Sequence, residues 1–388
     1  MKNFVFVICL SFAVGLLAGT GACRKSALSL AEDLPATTYS QLFEDFWAKM
    51  NSHYLYWDID TTDWERVHRI YRPLFSQLDM HVAADAATAA GYFNTMTAGL
   101  TDGHYSISYG GSLFPATTVI PSLDRKERTA GWHIAYPYLL LDTAYLDSGS
   151  VYGSYINQDR QRISASCGLI GGSILYFSCD HFGLGQAYKA GTPNGVKEAL
   201  TAFFSFLQTK GSSIRAIILD VRNNQGGDVS DLNFLLGRMI TKKTLFGHTK
   251  YKSGSGRLDY TPWIDATIEP QPGGVAPAAP YIVLADSYSA SLAEAFVMAV
   301  KTLPGASFIG ETTWGATGPL TTSDLYNGGS FTVSSFLSVA TASAAFQYID
   351  GKSYEGKGYP PDIAIPFDLV ALNGGRDAAL EKAISLSR

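Results

Sequence analysis

The chain has 388 residues, with 34 acidic and 29 basic side chains and a formal net charge of −5. At 46% hydrophobic and 16% charged it is too apolar to stay disordered, and it is long enough for two or three domains. The mild acidity excludes the basic footprint of a nucleic-acid binder, while 38 glycines, 22 tyrosines and 21 phenylalanines point to many turns and tightly packed sheet.

The N-terminal segment is read as processing signal rather than fold. Lys2 is the only charge before an almost wholly apolar run from Phe4 to Leu17, followed by small residues and Cys23. The run is short of the roughly 20 apolar residues that span a bilayer, so residues 1–22 are expected to be an export signal. Cysteine directly after Thr20-Gly21-Ala22 resembles a bacterial lipobox. That implies a lipidated Cys23, a tether over residues 23–36 and a bacterial cell-envelope location, periplasmic or outer-membrane-associated, with the lipid as the only membrane contact. Cys167 and Cys179 then remain, either as a disulfide across a Gly171-Gly172 hairpin or as two buried thiols. No cysteine–histidine spacing resembles a metal site, and no cofactor is called for.

Three helical patterns follow over 37–104. Leu42, Phe43, Phe46, Trp47 and Met50 recur at helical spacing, as do Trp64, Val67, Ile70, Tyr71, Leu74 and Leu78 around Pro73, and Tyr92, Phe93, Met96 and Leu100. These predict a small helical bundle. Residues 105–167, with short apolar runs such as Tyr138 to Leu141, predict short strands and loops. From residue 168 to 388, strands alternate with helices. Strands are expected at Ser173–Phe177, Ala216–Val221, Tyr281–Ala285, Ser307–Gly310 and Phe331–Val339. Helices are expected from Thr192-Pro193, over Leu232–Ile240, after Ser291 and over Asp377–Leu386. The fold class is therefore α/β.

Two features of this core carry chemistry. Ser291 sits at a strand-to-helix junction among small residues, where free helix N–H groups can face a developing oxyanion. Gly226-Gly227, after a buried strand, lets backbone N–H groups approach a ligand closely.

Three stretches, Leu219 to Gly227, Ser289 to Glu294 and Gly310 to Gly315, resemble in order and separation the signatures of the tail-specific (C-terminal processing) serine peptidases of family S41. The resemblance implies a crotonase/ClpP-like spiral of ββα units over 168–388, with Ser291 as nucleophile. It also implies an oxyanion hole from the N–H of Leu292 and one from Gly226 or Gly227. In the processing branch a lysine general base follows the third signature, but here that position is Ala316, and Lys301 is badly placed to replace it. The tricorn-like branch uses serine, histidine and glutamate instead. Leu100-Thr101-Asp102-Gly103-His104 and Tyr354-Glu355 before Gly358-Tyr359-Pro360-Pro361-Asp362 are similar to its remaining motifs. His104 is accordingly expected as general base and Glu355 as the supporting carboxylate, with His181 and Lys357 as the other candidate bases.

The implied activity is a lipid-anchored serine endopeptidase acting on peptide or protein substrates. The alternative is an inactive peptide- or lipid-binding protein on the same scaffold. An acyl-CoA enzyme of the wider crotonase superfamily is disfavoured by the Ser-Ala-Ser-Leu-Ala-Glu signature. No complete PDZ module fits within 105–167, so selection of substrate tails is not implied.

Overall fold

A computed structural model describes residues 35–320 and 326–387. The proposed signal, Cys23 and most of the tether lie outside the described residues. Residues 36–388 form one compact unit.

The bundle is built as its apolar spacing requires. Helix α1 (Tyr39–His53) starts at Thr38, whose side chain accepts the Gln41 N–H, and buries Tyr39, Leu42, Phe43, Phe46 and Met50. Helix α2 (Trp64–Phe75), capped by Asp63, buries Trp64 and Phe75 and ends two residues after Pro73; Ile70, expected in its apolar stripe, is exposed. Helix α3 (Ala83–Thr97) closes the bundle through Phe93 and Met96. Strands β1 (Ser106–Tyr109) and β2 (Thr117–Val119) follow, then helices α4 (Pro121–Lys126) and α5 (Tyr138–Asp142). The Tyr138–Leu141 run, expected as strand, is therefore helix. It follows Pro137 and buries Tyr138 and Asp142, so tertiary packing overrides a four-residue apolar signal.

Strands β3 (Val151–Ile156), β4 (Arg162–Ile170) and β5 (Ile174–Cys179) are antiparallel, and β4 turns into β5 at Gly171-Gly172. Cys167 and Cys179 are buried free thiols: Cys179 pairs with Ala165 across the ladder and Cys167 with Phe177, so the two sulfurs are not opposite one another. Helix α6 (Leu184–Lys189) precedes α7 (Gly195–Lys210), whose N-cap is Asn194 rather than Thr192. Then come β6 (Ala216–Asp220), α8 (Ser230–Leu236), β7 (Thr244–Tyr251), β8 (Ile264–Ile268), β9 (Tyr281–Ala285), α9 (Leu292–Val300) and β10 (Ser307–Gly310). The expected Phe331–Val339 strand is instead a hairpin of β11 (Phe331–Val333) and β12 (Leu337–Ala340), broken by positive φ at Ser334 and Ser335. Strands β13 (Ala344–Tyr348) and β14 (Ile363–Ala364) and helices α10 (Leu369–Asn373) and α11 (Ala378–Leu386) complete the chain.

The main sheet runs β14-β10-β9-β6-β5-β4-β3, parallel from β14 to β5. Its strands β5, β6 and β9 are buried at every residue, as a parallel sheet covered on both faces demands. A second sheet, β11-β12-β1-β2, packs with the bundle: Phe46, Phe93, Ile107, Val333 and Val339 share one core. The divisions drawn at 104 and 167 are therefore not breaks between compact units. Strands from both halves of the sequence meet here, and the β1–β12 register (Ser106 opposite Ala340) brings the residues just before β1 beside those just after β12.

Candidate active site

In an open parallel sheet, ligands bind beyond the carboxyl ends of the strands. The loop after β6 carries Gly226-Gly227, and the loop after β9 carries Ser291, the N-cap of α9. Ser291 has φ 58° and ψ −122°, a conformation costly for a residue with a side chain, and such strain marks a serine held on a sharp turn.

What holds it there is Glu294, a buried carboxylate one turn along the helix. Its oxygens accept the N–H groups of Ser291 (3.2 Å), Gly315 (2.7 Å) and Ala316 (2.7 Å) and the hydroxyl of Thr313 (2.6 Å). Burial raises its pKa, and these donors oppose the rise. Sequence reasoning assigned Glu294 no role, although serine followed by glutamate three residues later is the signature of a capping box.

Gly226 has φ 99°, and a methyl group on it would lie 2.7 Å from Ser291 Cβ and 2.8 Å from the Leu292 nitrogen, so only glycine allows this approach. Its own N–H donates to Asn224 Oδ1 at 2.8 Å. Of the two glycines considered as oxyanion donors, Gly226 is thus spent. Among the described residues the N–H groups of Gly227 and Leu292 have no hydrogen-bond partner.

Ser291 and His104 line one cavity of about 590 Å³, together with Gln225, Gly227, Asp228 and Leu292. No hydrogen bond joins them in this state; such bonds commonly tighten only with substrate. Nδ1 of His104 is buried without a partner, which leaves Nε2 as the ring nitrogen open to the cavity. Burial lowers the imidazole pKa, and the charge of Asp102 opposes that effect.

Glu355 is buried behind His104. Its Oε1 accepts the Gly103 N–H at 2.7 Å. Its Oε2 accepts from the Tyr56 hydroxyl (2.9 Å), the Thr317 N–H and hydroxyl (both 2.8 Å) and the Gly318 N–H (2.9 Å). One carboxylate thereby ties the His104 turn to the wall of the cavity. Burial, with Asp102 nearby, pushes its pKa up to about 8. Asp102 is itself buried: Oδ1 accepts the His104 N–H at 2.8 Å, and Oδ2 accepts the Thr341 hydroxyl (2.5 Å) and the Ala342 N–H (2.9 Å). Asp102, His104 and Glu355 each place one nitrogen or oxygen within 4.8 Å of the others. That spacing would suit a metal, but the oxygens already face seven N–H and O–H donors besides the Asp102-bound His104 N–H, so the cluster is a histidine–carboxylate assembly rather than a metal centre.

Ala316 is buried against this turn: a methyl group on Gly103 would lie 2.7 Å from Ala316 Cβ and 2.4 Å from the Gly315 oxygen. Where the processing branch has its lysine, this chain packs the backbone of the His104 turn. Of the other candidate bases, His181 contacts Gln161 at 3.2 Å and does not line the cavity, though its Nε2 would lie 2.9 Å from a methyl group on Gly227; Lys357 is exposed, and Lys301 is paired with Asp362 at 2.6 Å.

Residues 174–365 match peptidase family S41, and residues 35–78 match the tricorn protease C1 domain. The crystal structure of a candidate peptidase from Parabacteroides merdae superposes with a TM-score of 0.66 at 21% identity, covering 91% of this chain and 97% of that one. Mature CPAF complexed with lactacystin gives 0.55 at 11% identity over 90% and 97% of the two chains. A lipoprotein from Streptococcus agalactiae gives 0.50 at 13% over 91% and 97%. These likenesses establish the fold. No curated protein matches the sequence. By class the chain is a serine-type peptidase, and it belongs to peptidase family S41.

Proposed function

We propose that the chain is an active serine endopeptidase that cleaves peptide or protein substrates through an acyl-enzyme at Ser291. The observation that carries this reading is the single cavity lined by the strained Ser291, the open face of His104 and the free N–H groups of Gly227 and Leu292. His104 Nε2 takes the proton from Ser291 Oγ as the oxygen attacks the scissile carbonyl, and returns it to the leaving amine. The carbonyl oxygen, now negative, is stabilised by the two backbone N–H groups. Water then attacks the acyl carbon by the same proton path and restores the serine. Glu355 acts as a positioning residue, since it grips the backbone on either side of the site without a hydrogen bond to the imidazole.

Turnover of an unfolded protein substrate tests this. Ser291→Ala and His104→Ala should each lose about 10³-fold or more in kcat with the fold intact. Full retention of turnover in either variant would remove that residue from the mechanism.

We also propose that the mature protein is a lipoprotein acylated at Cys23 and held in the bacterial cell envelope on the exported side. The sequence 18–23 supports this; the structurally similar Streptococcus agalactiae protein is described as a lipoprotein. Among the described residues no helix is long and apolar enough to cross a membrane.

A further inference from the structure

We propose that Asp102 is the carboxylate that sets the basicity of His104, with Glu355 serving the backbone around it; this rests on the reading of His104 as general base. The geometry divides the two acids. Four of Glu355's five donors converge on Oε2; they belong to Thr317 and Gly318 in the cavity wall and to Tyr56 behind it. Asp102 belongs to the same tight turn as His104. Its Oδ1 carries one donor, the backbone N–H of His104 itself, and so has a lone pair to spare, and one Asp102 oxygen lies within 4.8 Å of a His104 ring nitrogen. Its Oδ2 is fixed by Thr341 and Ala342, which the antiparallel register of β1 against β12 delivers to that spot.

Charge supports the same division. Asp102 is the carboxylate whose field opposes the effect of burial on His104. Burial, with Asp102 nearby, pushes the Glu355 carboxyl up, and its oxygens are already taken by five donors, so little of its charge is left for the imidazole. The other groups around the imidazole are Ser291 and Asp228 in the cavity, with the hydroxyls of Tyr54 and Tyr56 behind the carboxylates. No lysine or arginine lines the cavity among the described residues. During attack the proton from Ser291 Oγ goes to Nε2, and the imidazolium so formed is stabilised by the negative charge of Asp102.

The test is the NMR titration of the His104 imidazole in the folded protein, assigned by loss of its signal in His104→Ala, alongside the pH dependence of fluorophosphonate labelling. Asp102→Asn should move the His104 midpoint to lower pH by about one pH unit or more. The rising limb of labelling should move with it, and the plateau should fall roughly 10²-fold. Glu355→Gln should leave both midpoints in place. Thr341→Val, which keeps Asp102 but removes one donor from it, should raise the His104 midpoint, and it guards against misfolding of the Asp102 variant. A midpoint unmoved by Asp102→Asn and by Thr341→Val, or moved by Glu355→Gln alone, would overturn the assignment. The expected NMR shifts in a protein that never labels would uphold the pairing while removing the peptidase mechanism.

Discussion

Ser291, Gly226 and Glu294 form a locked set at the scale of single residues. A side chain at 226 would collide with Ser291 and the Leu292 nitrogen, so Gly226→Ala should abolish labelling of Ser291 as completely as Ser291→Ala does, read by intact mass. Removing the Glu294 carboxylate strands three buried N–H groups and a hydroxyl. Glu294→Ala should cost about 3 kcal/mol or more in urea denaturation, and Glu294→Gln less, because the amide oxygen still accepts. The candidate residues Ser291, His104 and Glu355 were legible from motif order; Ser291 and His104 line one cavity, and Glu355 holds the Gly103 N–H beside it. Glu294 and Asp102 were visible as letters of those motifs but had no stated role, because what they bind is backbone, and backbone donors leave no trace in sequence. The choice between Gly226 and Gly227 was equally hidden. It turns on one hydrogen bond, from the Gly226 N–H to Asn224.

At the scale of elements, the end of β6 is secured by charge. Arg222 is buried and pairs with Asp220, Asp142 and Asp377 (2.5, 3.1 and 2.6 Å), while its guanidinium lies over Tyr138. These contacts tie β6 to α5 and to the start of α11, and so fix the strand that feeds the double-glycine turn. Arg222→Met should destabilise by about 3–5 kcal/mol in urea denaturation, because it leaves carboxylates buried without their cation. Elements with strong local signals, the parallel strands β5, β6, β9 and β10 and the helices α1, α9 and α11, were readable from periodicity. Those decided by partners were not. Strands β7, β8 and β13 form a separate three-stranded sheet with mixed burial along each strand. Helix α5 exists because Tyr138 and Asp142 dock onto Arg222.

For the whole molecule, the buried carboxylates set a pH profile. Burial makes Glu355 bind its proton more tightly in the folded state, up to about 8, than in the unfolded chain, where a glutamate titrates at about 4.3, and Asp231 and Asp286 do so up to about 6. Between these values the native state holds more protons than the unfolded state. Their stabilising contribution is therefore complete below the unfolded pKa and lost as pH rises. The thermal midpoint of the native protein should fall from pH 5 to pH 8, and Glu355→Gln should flatten the upper part of that fall; an unchanged slope would show that Glu355 is ionised throughout. The proposed lipidation belongs to the same scale: on that proposal Cys23→Ser abolishes incorporation of labelled palmitate and releases the protein from membranes in the native cell, while Ser291 still labels. What the sequence did not reveal at this scale is that the chain is one unit over 36–388. Its apparent segments are stitched together by β11 and β12, which cross back to β1, and by Glu355, which reaches across 252 positions to Gly103.

Activation of Ser291 by His104 is read out by the intact mass of the protein after treatment with a fluorophosphonate. One adduct on the native protein, absent from Ser291→Ala and strongly slowed in His104→Ala, is the predicted result. An unmodified native protein, under conditions in which a reference serine peptidase reacts fully, would contradict it.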